Sequence, residues 1–455
     1  MTRRWLAWAL LAIALPACTE ALPPDGQLLV TILTDAPLPA PAGVATTGPL
    51  PLFDRLRLDL VPPGATEACE GCRREFGVDH ALVALGNASF GVVTPEGEEG
   101  WRLVVRLFRS GGTTSGAPRP ASTLESVIAL PANQAEGKQA VSVVLWTDDL
   151  ATPVGSLDAP VAPIEGQLSG LVGTWEGARQ RSCEVTPRDG EVCVPGGAFW
   201  MGDPRLELDA AFDLAGGAER LVVLSPFYLD RQEVPVSAFR ASGLAESIVP
   251  GGPSNNPHAP DASFPACTYT TEPGPFEDYP TACLSWTKAE AYCNALGGQL
   301  PTEAQLEYVS SAFGAHTFVW GEDPPRCEDV VFERGEAIAP CGGLGLGIAP
   351  PGSGLRDRLT IDGLEVVDLA GNVKEWARDR WNREGESCWP SGVLRDPFCD
   401  TPSELDFNTR SVRGGDWDSD ELPMRAAVRT RIQNETSAVS SRVGFRCARA
   451  STPAP

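Results

Sequence analysis

Apolar and polar residues alternate along the first third of the chain, downstream of a short apolar N-terminus. Phe53–Leu60 and Trp101–Phe108 carry an apolar residue at nearly every second position, which is the period of a strand with one buried face. Further strand candidates are 27–35, 90–94, 126–130 and 140–146. Proline, glycine and asparagine fill the intervals, and no segment has a convincing helical period. The pattern predicts an all-β sandwich over residues 27–150, serving as a spacer or a binding module.

The pattern changes after residue 150. Residues 151–182 are rich in proline, glycine and alanine, which is typical of a linker. A second domain is predicted over residues 183–450, with two helices, short strands and long loops. Each helix carries a residue pair with the spacing of a capping box. The pairs are Thr287 with Glu290 and Thr302 with Gln305. Gly297-Gly298 and Gly314 end these helices by permitting positive φ, and the domain class is α+β.

The first 18 residues have the form of a secretory signal. Two arginines are followed by an apolar run that is too short to span a membrane, and then by Leu-Pro-Ala-Cys ending at Cys18. A small residue directly before this cysteine resembles the bacterial lipoprotein signal, in which the cysteine is acylated and becomes the mature N-terminus. Residues 19–26 would form a tether. We therefore expect a lipid anchor in the bacterial cell envelope, at the outer membrane and facing the periplasm or the exterior. An ordinary signal peptide is the alternative, and both the general and the twin-arginine export routes stay open.

Charge and cysteine content agree with an exported protein. The formal net charge of -24 repels phosphate backbones, so nucleic acid is not an expected partner. Of the thirteen cysteines, twelve follow Cys18, an even number that suits disulfides in an oxidising compartment. The simplest pairing joins near neighbours: Cys69 with Cys72, Cys183 with Cys193, Cys267 with Cys283, Cys327 with Cys341, and Cys388 with Cys399. Cys293 and Cys447 remain. A zinc site at Cys69 and Cys72 is not expected, because a second pair of cysteine or histidine ligands is missing nearby.

Five motifs follow one another in the last third of the chain. They are LSWTKAEAYC (284–293), LPTEAQLEY (300–308), DLAGNVKEW (368–376), RGGDW (413–417) and VGFRC (443–447). Together they resemble the formylglycine-generating enzymes, the sulfatase-modifying factor family, over about residues 190–450. The resemblance implies a C-type-lectin-like α+β fold. It also implies a disulfide between Cys293 and Cys447, the two cysteines left over above.

The third motif is a candidate calcium site. A loop with acidic side chains at both ends and carbonyl groups between them supplies the oxygen ligands that calcium requires. The resemblance assigns the ligands to Asp368, Gly371, Val373 and Glu375, the middle two through backbone carbonyls. The alternative is a tight turn with Asn372 in a left-handed conformation and Glu375 in a salt bridge.

The catalytic cysteines of the family are missing. The family oxidises its substrate with two cysteines that bind copper(I) shortly after the Gly-Gly of the fourth motif, and the matching segment Asp416–Val428 contains none. Because copper(I) selects soft thiolates, neither copper nor the parent oxidation is expected. The segment is charged instead, and its groove candidates are Asp416, Asp418, Arg425 and Arg442.

The sequence therefore predicts a non-oxidising module that binds a peptide, a protein or a small molecule. An oxidoreductase of this family with a non-standard centre is one alternative, with the carboxylates as acid and base. A structural envelope component is another. For the charged segment itself, the alternative is a salt-bridged surface loop.

Overall fold

The computed structural model describes residues 26–40, 53–134, 139–169, 179–206, 216–244, 259–260, 266–390, 393–403, 408–433 and 440–451. The signal segment with Cys18, and nearly all of the tether, lie outside the described residues. Across the described ranges, none of the helices combines the length and the apolarity needed to cross a bilayer.

The N-terminal half is a sandwich of two four-stranded sheets. Its strands are β1 Leu28–Thr34, β2 Arg55–Val61, β3 Arg73–Gly77, β4 Ser89–Val92, β5 Arg102–Phe108, β6 Thr113–Thr114, β7 Ala117–Pro118, β8 Leu124–Ala129, β9 Gln139–Leu145 and β10 Ile164–Glu165. One sheet has the order β10-β9-β1-β4 and the other β3-β2-β5-β8, while β6 and β7 form a separate two-stranded hairpin. Val30, Val105 and Leu124 are fully buried in the core shared by the two sheets. The all-β prediction is confirmed apart from the short helix α1, His80–Ala84.

The segment after residue 150 packs along the open edges of the sandwich. Val154 and Val161 bridge to Ser126 and Ile128 of β8, and β10 pairs with β9. Residues 151–169 are thus bonded to the sheets, although their composition predicts a linker. The difference arises because edge strands offer unpaired backbone groups to any neighbouring chain, and composition does not reveal which segment takes them.

The described residues of the C-terminal half form three α-helices and several small sheets. The elements are β11 Glu191–Val194, β12 Gly197–Met201, β13 Arg220–Leu224, β14 Phe227–Asp230, α2 Val236–Ala241, α3 Trp286–Ala295, α4 Glu303–Ser310, β15 Arg358–Ile361, β16 Leu364–Val367, β17 Lys374–Arg380, β18 Val393–Arg395, β19 Thr409–Arg413, β20 Arg429–Gln433, β21 Val443–Gly444 and β22 Ala448–Ala450. The largest sheet of this half has the order β20-β19-β17-β21. Short strands with few helices confirm the α+β class.

One of the two predicted capping boxes is present. At the start of α4, the Thr302 hydroxyl accepts from the Gln305 backbone N–H, and the Gln305 side chain accepts from the Thr302 backbone N–H. The box predicted for α3 is wrong, because that helix is preceded by Ser285, whose side chain makes no capping bond. Trp286 begins the helix, and its indole N–H donates to the Ala377 carbonyl at 2.8 Å. Tertiary packing thus sets this helix start.

All six predicted disulfides are present. They join Cys69 to Cys72, Cys183 to Cys193, Cys267 to Cys283, Cys293 to Cys447, Cys327 to Cys341 and Cys388 to Cys399. The Cys293–Cys447 bond connects α3 to the residue before β22. These twelve residues are all the cysteines that follow Cys18.

The two halves of the chain share a core. Leu221 and Val223 of β13 are fully buried and belong to the same apolar cluster as the sandwich residues. Hydrogen bonds and ion pairs lie around this shared apolar core. The Arg395 guanidinium donates to the Asp148 carbonyl at 2.7 Å, and Arg179 forms an ion pair with the Asp148 carboxylate at 2.7 Å. The sandwich is therefore packed on the second domain.

Candidate functional site

The third motif forms a loop between β16 and β17 whose backbone is held by a buried carboxylate. Asp368 and Asn372 adopt left-handed conformations, with φ of 54° and 68°. Between them, the backbone N–H groups of residues 369–371 each donate to the Asp357 carboxylate at 2.9 Å. Burial raises the pKa of Asp357 to about 6, although the three hydrogen bonds act in the opposite direction and lower it. The Asp357 carboxylate thus holds the backbone of this loop through three hydrogen bonds.

Carboxylates outnumber cations beneath this loop. Arg446 is fully buried and donates through Nε to both oxygens of Glu375, at 2.7 and 2.9 Å. Burial, with a smaller contribution from the Asp357 charge, raises the pKa of Asp368 to about 7. Burial, followed by repulsion from Asp368 and Glu375, raises the pKa of Glu233 well above its usual range. The Glu233 Oε1 atom has no hydrogen-bond partner among the described residues.

This arrangement bears on the four predicted calcium ligands. Both features of the alternative are present, since Asn372 is left-handed and Glu375 is paired with Arg446. Within the described chain, no three acidic, histidine or cysteine side chains are arranged as a metal site. Calcium here would therefore need main-chain oxygens, such as the carbonyls of Gly371 and Val373. The cluster of buried carboxyl groups and the unpaired Glu233 oxygen fit a cation of this kind.

The four groove candidates do not share one environment. Asp416 is fully buried, and its carboxylate is paired with the Lys374 ammonium. The same ammonium donates to the Ser419 hydroxyl at 2.9 Å, and the Asp416 carboxylate accepts from the Asp418 backbone N–H at 2.8 Å. Asp416 therefore organises the loop from within and is closed to a ligand.

Asp418 and Arg442 are the accessible members. Their side chains form an ion pair, in which Arg442 is 48% and Asp418 30% exposed. The Arg442 guanidinium lies over the Trp417 ring at 5.5 Å from its centroid. The Trp417 indole in turn donates to the Ser441 carbonyl at 3.1 Å. This charged pair beside an aromatic ring is the exposed part of the predicted groove.

The remaining basic residues of this stretch lie elsewhere. Arg425 makes a half-exposed ion pair with Glu421 at 3.7 Å. Arg429, in the same stretch, is fully buried and forms an ion pair with Glu303 at 2.5 Å. Its position in β20, which pairs with β19, turns the side chain into the core. The salt-bridged loop that the sequence offered as an alternative describes these contacts well.

Sequence reasoning overlooked two buried polar groups. Glu233 follows the strand β14 and precedes Val234. A glutamate between apolar residues was the available signal. Arg334, which is buried and lines a cavity, had no signal in its neighbourhood.

The fold and the long disulfide define a domain of the class that the five motifs predict. The chain belongs to the family of sulfatase-modifying factor enzyme 1-like domains, whose family model matches residues 178–451. It is 27% identical over 296 residues to the formylglycine-generating enzyme of Thermomonospora curvata, covering 57% of this chain and 93% of that protein. It is 27% identical over 186 residues to inactive C-alpha-formylglycine-generating enzyme 2 of Bos taurus, covering 38% of this chain and 50% of that protein. Among solved structures, PvdO from Pseudomonas aeruginosa aligns with a TM-score of 0.43 at 22% identity, covering 57% of this chain and 94% of that protein.

Proposed function

We propose that the C-terminal domain is a non-oxidising binding module for a peptide, protein or small-molecule ligand. One observation carries this proposal: the domain has no free thiol to offer. The segment Asp416–Val428 contains no cysteine, and the twelve cysteines beyond Cys18 are all joined in disulfides. Copper(I) of the family type needs two thiolates, and disulfide sulfur cannot supply them.

The other side chains of the segment do not fit copper(I) either. Met424 offers a thioether, but it is buried in an apolar cluster with Phe318 and Phe332. It also packs against Gly415, where an added Cβ would lie 1.9 Å from the Met424 methyl carbon. Asp418 and Ser419 carry hard oxygen ligands, which suit other ions. The similarity to a relative whose name calls it inactive supports a domain that keeps its fold without the oxidation.

A direct test measures copper and turnover together. The purified protein is incubated with copper(I) and with a cysteine-containing sulfatase peptide, while oxygen uptake and aldehyde formation are followed by electrode and mass spectrometry. We expect no stoichiometric copper, no oxygen uptake and no aldehyde. Aldehyde formation would instead establish the oxidoreductase with a non-standard centre. The reduced protein serves as the control for thiols released from disulfides.

The Asp418–Arg442 pair supports the location of the ligand site. Both side chains are partly exposed, whereas Asp416 is enclosed. Ligand capture from a peptide array should therefore weaken in Arg442→Ala and in Asp418→Ala, with Glu421→Ala as a matched exposed control. Binding that ignores both substitutions would favour the structural envelope component.

We also propose that calcium binds at the third motif through Asp368, Glu375 and the carbonyls of Gly371 and Val373. The support is the cluster of buried carboxyl groups around Arg446 and the Glu233 oxygen that has no hydrogen-bond partner among the described residues. Metal analysis of the purified protein should find calcium near one equivalent, and Asp368→Asn should lower that content. Calcium at background level in the unsubstituted protein would exclude the site.

The lipid anchor at Cys18 is likewise a proposal. The support is the sequence of the signal segment alone. In a bacterial host, the mature protein should incorporate labelled palmitate and fractionate with the outer membrane, and Cys18→Ser should abolish both. Cleavage without labelling would identify an ordinary signal peptide.

A further inference from the structure

A cavity of about 400 Å³ opens beside the segment 327–334 and the glycine-rich segment 343–355. Its wall contains Tyr279, Glu328, Arg334 and Ser353 together with several aliphatic side chains. None of the four groove candidates lines it. A volume of this size lies within the range of small-ligand pockets.

Arg334 is the group that sets this cavity apart. Arg334 is only 7% exposed. No described residue forms a hydrogen bond or an ion pair with its guanidinium, and its Nε atom is buried without a partner. Its backbone is held in place, since its N–H donates to the Trp417 carbonyl at 2.6 Å and its carbonyl accepts from Gly347 at 3.2 Å. Glu328 on the same wall makes no ion pair with it within the described contacts. A buried charge without a counter-ion is costly, so an anion is the missing partner.

The same cavity has apolar side chains at its mouth. Leu344, Leu346 and Leu355 line it and are 56%, 59% and 66% exposed. Three exposed leucines gathered at one opening form the kind of patch that marks an interaction site. An apolar group placed between them would cover them and exclude water from Arg334.

We propose that this cavity binds the C-terminal carboxylate of a peptide whose last residues are apolar. A guanidinium recognises a carboxylate through two parallel hydrogen bonds, and the leucines accept the terminal side chains. The hydroxyl groups of Ser353 and Tyr279, two residues that line the cavity, offer polar partners to the peptide backbone. Glu328 disfavours dianions such as a phosphate monoester. Asp418 and Arg442 do not line this cavity, although the backbone of Arg334 adjoins the groove through Trp417.

The test uses the full mature chain and a fluorescein-labelled peptide Gly-Ser-Gly-Leu-Leu with a free C-terminus. Fluorescence anisotropy should show saturable binding. The C-terminal amide of the same peptide should bind at least about tenfold more weakly, since a hydrogen-bonded charge pair is lost. Equal affinity for acid and amide, or no saturable binding at millimolar protein, would overturn the proposal. Displacement by octanoate as effective as displacement by unlabelled peptide would also overturn it, since any apolar carboxylate would then suffice.

Variants locate the site. Arg334→Gln should abolish the preference for the acid over the amide. Leu346→Ser, at an exposed position where folding is not at stake, should weaken both peptides. Arg74→Ala, at an exposed arginine of the sandwich that does not line the cavity, should leave the affinity unchanged, and Glu328→Gln should leave it unchanged or raise it. A preference that persists in Arg334→Gln, or binding that is lost in Arg74→Ala, would contradict the assignment.

Discussion

The disulfide between Cys293 and Cys447 closes a loop of 154 residues, and its removal is the most informative perturbation of the fold. In the chain-entropy treatment, closing a loop of that length lowers the entropy of the unfolded chain by about 17 cal/mol/K, which stabilises the folded state by about 5 kcal/mol at 25 °C. The Cys69–Cys72 bond closes a separation of 3 residues, for which the same treatment gives about 1.6 kcal/mol. The double variant Cys293→Ala/Cys447→Ala should therefore be destabilised about three times as much as Cys69→Ala/Cys72→Ala.

The comparison is made by urea unfolding at neutral pH without reductant, followed by near-ultraviolet circular dichroism. The long disulfide lies in a core with Trp376 and Phe445, so the signal reports on its own surroundings. Lost sulfur packing adds to the cost at this buried site. If the two double variants lose similar stability, chain entropy does not explain how this domain is held together.

Three further predictions concern buried polar groups. Asp357→Asn removes an acceptor from the three N–H groups of residues 369–371 and should cost about 1–3 kcal/mol of unfolding free energy in urea titrations; a neutral result would mean that the loop does not depend on this carboxylate. Burial, followed by the charge of Glu303, raises the pKa of Asp379 to about 7. Between its ordinary pKa near 4 and pH 7, the folded state therefore keeps a proton on this carboxyl that the unfolded state has released. Stability should then fall by about 1.4 kcal/mol per pH unit for this proton as pH rises toward 7, and Asp379→Asn should flatten the profile; an unchanged slope would assign the effect elsewhere. Arg395→Ala removes donors to the carbonyls of Asp148 and Leu150 and should speed proteolysis between the two halves, whereas unchanged cleavage would show that the apolar contact suffices.

The sequence predicted the elements that depend on a local residue pattern or on the number and order of the cysteines. Alternation located β2 and β5, because each has one face in the core of the sandwich. The even number of cysteines and the pairing of near neighbours predicted the short disulfides, and the resemblance to the family predicted the long one. The Thr302–Gln305 box was found because both partners lie within one helical turn.

What escaped prediction depends on contacts between distant segments. The strand β3 is largely exposed apart from Phe76, which packs against the sandwich core, and it also makes cross-strand ion pairs, such as Arg73 with Asp59 at 2.6 Å. At the candidate site, the sequence placed Asp416 among the groove candidates, but the residue is enclosed and paired with Lys374, 42 positions away. Charge composition alone cannot tell an enclosed ion pair from an exposed one.

The bond from α3 to the chain end also has a consequence for biogenesis. A polypeptide emerges N-terminus first, so Cys293 must wait as a thiol while the next 154 residues are made. During that delay Cys267 and Cys283 lie nearer in sequence and can capture it in a wrong bond. Correct maturation would then depend on thiol exchange after release of the finished chain, and a product truncated before residue 447 would retain a reactive sulfur.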